Sequence, residues 1–377
     1  MVFDDNFVKD LPPAKQYANP WAIAMCKFDH NKNNRALVEK WFVNLPDNAK
    51  SNFKKRLNSL DDKEFIPAFY ELMMHQYCIE EGWKIEYEPD MDKGKPDLLV
   101  TTQSGYQFIV EATAVFDSDS VEKSDKSKDD LTHQISAITT PFMLSLNYYE
   151  YPSTFYSPKA IIAKVKNWLG GLDTSSPKRR YKRTFKGTGY NFQVEAMLTG
   201  RKAASNCVWS VMDPGGSVPN YSKRIKSKLD DKARKFGSKK TGMPLVVMLA
   251  DGIGGRVRMD SHTVDKTLFG DDAITFSING NEPPKAVKAR NGYFTPSNNE
   301  KGEWLGKNTS VSAVLYASLR GSGSYQMQVF HNPVPHTPLN DEVFFKIPQL
   351  QRLESKAGIK MKWVISNPED HLIYFLL

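Results

Sequence analysis

Asp97 and Glu111 are the residues of this chain best suited to chemistry. They fall within GKPDLLVTTQSGYQFIVEATAV, residues 94–115, where two apolar runs meet at Ser104-Gly105. Residues two apart on a strand share a face, so Ile109, Glu111 and Thr113 point one way and Val110, Ala112 and Ala114 the other. A hairpin partner carrying Asp97 can lie beside Glu111. Two carboxylates brought together in a nearly dry setting repel, and either a shared proton or a divalent cation resolves the conflict. Magnesium suits such a pair, since it takes one or two carboxylates and keeps waters and phosphate oxygens at its other positions.

The elements that must position these acids are readable from their periodicity. KEFIPAFYELMMHQYCIEEGW predicts a helix starting near Asp61 or Asp62, apolar almost all round and ended by Gly82, hence a buried core helix. KIEYEP, PDLLVTT and YQFIVEATAV predict three short strands. Asp117–Asp130, charged and serine-rich, predicts a mobile surface loop. Beyond it the pattern predicts a strand near 142–149, a helix opened by Ser157-Pro158 and closed by Gly170-Gly171, and strands over 190–198 and 208–212. An amphipathic helix over 221–236 then leads into PLVVMLA, a continuous apolar run typical of a strand covered on both faces. The last third carries strand-like pieces such as VSAVLYASL and YQMQVFHN.

Pro96-Asp97 before one strand and Glu111-Ala112-Thr113 ending the next, preceded by a helix bearing Glu71, resemble the PD-(D/E)xK nuclease superfamily. That resemblance implies a restriction-endonuclease-like α/β core, a mixed central sheet flanked by helices. It further implies that Asp97 and Glu111 hold Mg2+ (or Mn2+), that Ala112 offers its backbone carbonyl to the metal, and that Glu71 assists. The superfamily order of helix, three strands, helix, strand matches the segments 65–113 and 221–250. KLDDKARKFG and VFHNPVPHTPL also resemble stretches of large bacterial proteins with this nuclease core, a match that brings no function. The departure is at position 113, where the family's lysine is replaced by Thr113. A hydroxyl supplies no positive charge to orient a water or to balance a phosphate in its transition state.

Lys232 is the expected replacement. On the 221–236 helix Ile225, Leu229, Ala233 and Phe236 form the apolar stripe, and Lys232 falls inside its edge, about 20° from Ile225. An ammonium held there needs an acidic partner or must snorkel out. Lys228, one turn earlier, lies towards the rim and is the reserve.

The net charge of +8 favours a polyanionic partner. One concentration is SPKRRYKRTFKG, in which Lys178, Arg179, Arg180, Lys182 and Arg183 interleave with Tyr181 and Phe185. That arrangement suits phosphate contact and base stacking, and equally a solvated connection. The other is the helix bearing Lys228 and Lys232. His75, four residues after Glu71, reads as a packing residue. His331 and His336 read as loop residues without metal-ligand spacing.

The chain has 377 residues with 40% hydrophobic and 25% charged, values of a folded globular protein. Three scattered cysteines provide neither a disulfide framework nor a zinc knuckle. The first residues lack the features of a secretory signal, and no apolar run approaches the roughly 20 residues of a membrane helix. A cytoplasmic protein with no membrane partner is expected. The expected division is an N-terminal helical extension over 1–60, a nuclease-like core over 61–260 with a strand-rich insertion at about 140–213, and a C-terminal β-rich extension over 261–377. The expected function is metal-dependent hydrolysis of phosphodiester bonds, foremost in DNA. Bacterial defence, as a homodimer or in a larger complex, is compatible with the resemblance. The rivals are an inactive nucleic-acid-binding protein on the same fold and a protein scaffold.

Overall fold

The structure, a computed structural model, describes residues 1–15, 19–92, 94–116, 119–150, 158–175, 179–198, 203–205, 207–212, 221–251, 259–275, 285–289, 291–298, 304–321, 324–353, 360–364 and 373–374. The chain forms two compact units. The first comprises Met1–Leu11, Trp21–Phe116 and Asn220–Leu377, and the second Pro12–Pro20 and Asp117–Pro219.

The first unit opens with α1 (Asp5–Asp10), α2 (Trp21–Lys27), α3 (Lys32–Val43) and α4 (Asp47–Leu57). They lead into α5 (Asp62–Glu80), whose N-terminus is capped by the Asp61 side chain accepting from the Lys63 N–H. At its C-terminus Gly82 adopts φ +69°, and Trp83 N–H donates back to Cys78 O while Gly82 N–H donates to Ile79 O. This left-handed closure favours glycine and turns the chain towards β1 (Lys84–Tyr87). Then follow β2 (Leu98–Thr101) and β3 (Gln107–Val115).

The second unit contributes α6 (Asp119–Ser136), β4 (Phe142–Glu150), α7 (Pro158–Gly170), β5 (Arg180–Gly187), β6 (Tyr190–Leu198) and β7 (Val208–Met212). The first unit then resumes with α8 (Tyr221–Phe236), α9 (Ser238–Thr241), β8 (Leu245–Asp251), α10 (Ser261–Phe269), β9 (Asp272–Thr275) and β10 (Lys285–Lys288). It ends with β11 (Pro296–Asn298), β12 (Trp304–Gly306), β13 (Ala313–Gly321), β14 (Ser324–His331), β15 (Gln349–Leu353), β16 (Lys360–Val364) and β17 (Ile373–Tyr374).

The first unit is α/β, built on a mixed sheet in the order β1-β2-β3-β8-β13-β14-β15-β16, with β17 beside β14. β1, β2 and β3 are antiparallel, whereas β3, β8 and β13 run parallel. β8 is buried along Leu245–Ala250, as its unbroken apolar run requires of a strand paired on both edges. Two cores lie on the two faces of this sheet. Val110, Ala112 and Ala114 join the core built with α5, while Ile109 and Val115 join the core built with α8 and α10. The period-two split of β3 is therefore realised, and Glu111 belongs to the α8 side.

The second unit has a four-stranded sheet ordered β5-β6-β4-β7, whose core takes Leu131 and Ile135 from α6 and Ile161, Val165 and Leu169 from α7. Two expectations change here. The loop expected over 117–130 is largely helix α6, because Leu131 and Ile135 anchor the end of that charged stretch in a core. The basic stretch of 176–187 is not a solvated connection over its described part but the edge strand β5, because Phe185 is buried against Phe192. Ser157, the expected cap of α7, lies outside the described residues.

The units also cut the chain differently from 1–60, 61–260 and 261–377. The helices before residue 61 share a core with α5, and β13 to β16 continue the central sheet because β13 pairs with the second edge of β8. Among the described residues no helix is long and apolar enough to cross a membrane.

Candidate active site

Asp97 sits in the turn immediately before β2, and Glu111 midway along β3. β2 and β3 pair antiparallel with Leu98 opposite Val110, which carries Asp97 level with Glu111. The two are clasped reciprocally. Asp97 N–H donates to Glu111 Oε1 at 2.9 Å, and Ala112 N–H donates to Asp97 Oδ2 at 2.8 Å. Backbone donors of this kind orient both carboxylates and offset part of the cost of taking them out of water. The Glu88 N–H donates to Asp97 O at 3.2 Å from a left-handed backbone, φ +41°, tying the end of β1 to the same turn.

Lys232 completes the cluster from α8. Tyr221, Ile225, Leu229 and Phe236 bury the apolar stripe of that helix, and Lys232 leaves its edge with a side chain 21% exposed. Its Nζ is ion-paired with Glu111 Oε2 and lies 3.5 Å from Asp97 Oδ2. The Glu111 side chain is 2% exposed and that of Asp97 29%, so the cluster is closed on the Glu111 side and open to solvent on the Asp97 side. Burial, then the charge of Asp97, push the Glu111 carboxyl up to about 7, against Lys232 and the Asp97 N–H. Burial alone would lower the Lys232 ammonium, but Asp97 and Glu111 outweigh it and hold it above its ordinary value.

The donor set fits a hard divalent cation. Two carboxylate oxygens converge on one point, and that point already attracts a positive group, the Lys232 ammonium. Among the described residues there is no group of three or more His, Cys, Asp or Glu side chains that could hold a metal. The protein thus offers two acids, with the backbone beside them at Ala112, a set that suits magnesium better than zinc or a transition metal.

Glu71 lies on α5, 3% exposed, and pairs with Arg56 of α4 at 2.8 Å. Burial raises its carboxyl to about 8 despite Arg56, with Asp97 adding to the rise and Lys232 opposing it. Arg56 was not legible in the sequence, because nothing in KKRL marks which arginine will meet a buried acid on another helix. Thr113 is buried on β3, two residues beyond Glu111 and level with Leu249 of β8.

The other candidates stand apart from the cluster. Lys228 is exposed on α8. His75 is buried, its ring 5.0 Å from that of Tyr87, and its Nδ1 has no hydrogen-bond partner among the described residues. His331 is not a loop residue but the last residue of β14, buried with Nε2 2.6 Å from Gln349 Oε1. His336 is in a loop and its Nδ1 lies 3.2 Å from the Thr337 hydroxyl.

Of the basic stretch, Lys178 lies outside the described residues. Arg179 is exposed with its guanidinium 5.1 Å from the centre of the Tyr181 ring, and Arg183 lies 5.7 Å from that of Phe185. Arg180 and Lys182 both reach Glu195 of β6, at 3.4 and 3.1 Å. Comparison with protein-family models, curated proteins and solved structures gave no match to this chain.

Proposed function

We propose that the chain is a metal-dependent nuclease with a restriction-endonuclease-like core, hydrolysing phosphodiester bonds in DNA. The observation that carries this reading is the convergence of Asp97, Glu111 and Lys232, two acids and an ammonium drawn from a hairpin and a distant helix. Supporting it is the chain order α5, β1, β2, β3, α8, β8, which follows the helix, three strands, helix, strand order of the PD-(D/E)xK superfamily.

In this reading Asp97 and Glu111 hold Mg2+ or Mn2+, with the Ala112 carbonyl as a further oxygen. The metal would supply positive charge against the phosphate as its own charge builds in the transition state. The chain's own part is positional. Backbone N–H groups of Asp97 and Ala112 fix the carboxylates, and the closed Glu111 side excludes water from one half of the cluster. Lys232 takes the place of the lysine missing at Thr113, holding the attacking water and countering charge on the phosphate. Donors aimed at developing charge are worth about 10² to 10³ in rate. Glu71 of α5, fixed by Arg56, is the assisting acid of this reading. A role in bacterial defence, in a homodimer or larger assembly, is compatible with such an activity.

Cleavage of plasmid and linear DNA with Mg2+ or Mn2+ tests the proposal. Wild type should cut, and Asp97→Ala, Glu111→Ala and Lys232→Ala should each lose most of the activity. A second reading is favoured by the same ammonium, since Lys232 by itself can satisfy both acids as a structural ion pair. The protein would then bind nucleic acid without cutting it. Binding without cleavage of any DNA or RNA substrate, and no uptake of Mn2+ by calorimetry, would establish that reading instead.

A further inference from the structure

The second unit's sheet has one face packed on α6 and α7, and among the described residues of this unit no helix covers the other face, called the bare face below. On β6, Tyr190, Phe192, Val194, Ala196 and Leu198 are buried, while Asn191, Gln193, Glu195 and Met197 between them are only half-buried. The register fixes what shares the second face. Lys182 stands opposite Glu195, Glu195 opposite Ser145 of β4, and Ser145 opposite Ser210 of β7. The next row runs Thr184, Gln193, Asn147, Met212. Arg180 and Lys186 flank these rows on β5, opposite Met197 and Asn191.

Cations therefore line one edge of the bare face, amides occupy its middle, and large apolar groups its far side. Trp209 is 60% exposed, at the irregularity where β7 slips against β4, and Tyr149 is 44% exposed at a bulge of β4. Met212, three residues on along β7, is 52% exposed, so this sheet leaves three large apolar side chains to solvent. β5 carries Arg180, Lys182, Arg183 and Lys186 with no acid among its residues, whereas the face itself holds the carboxylates of Glu195 and Glu150. Glu195 spans Arg180 and Lys182 and holds both heads on the bare side.

We infer that this face binds single-stranded nucleic acid. Its phosphates run along β5, and its bases lie across the sheet towards Trp209 and Tyr149. Arg180, Lys182 and Lys186 lie on one face of β5, the first two about 6.6 Å apart and Lys186 about 13 Å beyond Lys182 with Thr184 between them, so they present a row of positive charge parallel to a backbone. Asn147 and Gln193 face the base edges with both donor and acceptor groups. Single strands are favoured over duplex because only unpaired bases have faces free to stack on an aromatic side chain. The face is a site of its own and does not require the acid pair to be catalytic.

The test is fluorescence anisotropy of the full chain with labelled dT15, rU15 and a 15-base-pair duplex, in EDTA and over a salt series. Trp209→Ala should weaken binding of at least one single strand about tenfold or more, while leaving the duplex within twofold. Lys182→Ala should weaken the single strand and lower the slope of log affinity on log salt by about 0.7. Lys159→Ala, an exposed cation of α7, should change binding less than twofold. Both platform residues are exposed, and unchanged thermal melts confirm that the variants fold. The inference is overturned if neither single strand binds, if Trp209→Ala and Lys182→Ala bind as wild type, or if Lys159→Ala costs as much as Lys182→Ala. It is also overturned if Trp209→Ala instead abolishes self-association in sedimentation, which would make the face a contact between copies. Because EDTA prevents cleavage, loss of this binding is read apart from loss of the nuclease.

Discussion

Lys232 of α8 and Glu111 of β3 form an ion pair between positions 121 apart in the sequence. The pair joins the two halves of the candidate site, and its partners are buried unequally, at 21% and 2% side-chain exposure. An interaction of this kind is costly to halve, because removing one partner leaves the other charge out of water without compensation.

Lys232→Ala should therefore affect both stability and rate. Chemical denaturation should show a loss of about 3 kcal/mol, and Mg2+-dependent cleavage should fall about 10² to 10³-fold. Lys232→Arg should keep most of the stability, since it keeps the charge, while recovering only part of the rate, since the guanidinium cannot reproduce a compact ammonium. A Lys232→Ala protein as active as wild type would remove the lysine from the chemistry.

Asp97→Asn should abolish Mn2+ uptake measured by calorimetry while leaving the fold intact. The amide keeps an oxygen for the Ala112 N–H, which now donates at 2.8 Å, but loses the negative charge a hard cation needs. Retained Mn2+ affinity in Asp97→Asn would mean that the acids are not the metal's ligands.

Arg56→Met should destabilise the protein by about 3 to 5 kcal/mol, because Glu71 is 3% exposed and depends on that guanidinium. Glu71→Gln in the Arg56→Met background should recover much of the loss, since a neutral amide costs less to bury than a carboxylate. Additive losses in this double-mutant cycle would contradict the pairing.

His75 sets a pH dependence of stability. Burial lowers its imidazole to about 4, so between that value and the unfolded 6.5 the unfolded chain binds more protons than the folded one. Stability from this group is complete above pH 6.5 and is lost as the pH falls towards 4, by about 3 kcal/mol at most. Glu71 and Glu111, raised to about 8 and about 7, contribute the opposite slope, stabilising at low pH and less so as the pH rises. The difference between wild type and His75→Gln isolates the histidine. Melting temperatures at pH 7.5 and 5.0 should fall more for wild type than for His75→Gln.

The periodicity of the chain fixed most of the local elements. The apolar helix over 62–80, the three strands after it and the strand over 245–251 follow from the spacing of apolar residues, which is a property of neighbours in sequence. The two sides of β3 were legible for the same reason, and so was the place of Lys232 at the edge of an apolar stripe. Position 117–130 misled because its charged composition outweighs the few residues, Leu131 and Ile135, that anchor α6 in a core beyond it. β5 was read as basic rather than as a strand, since an edge strand needs only Phe185 inside, and one buried residue in eight is a weak signal.

What sequence alone determined is the inventory: a pair of acids on a hairpin, an amphipathic basic helix, and a continuous apolar strand. Only the tertiary structure decided which lysine meets those acids, that Arg56 pairs with Glu71, and that Arg180, Lys182 and Lys186 of β5 come to share one sheet face with Glu195, Gln193 and Asn147. Helical and strand periods describe a few residues at a time, whereas ion pairs and sheet faces depend on which distant segments pack together. That choice is made by burying apolar surface over the whole chain, and no local pattern encodes it.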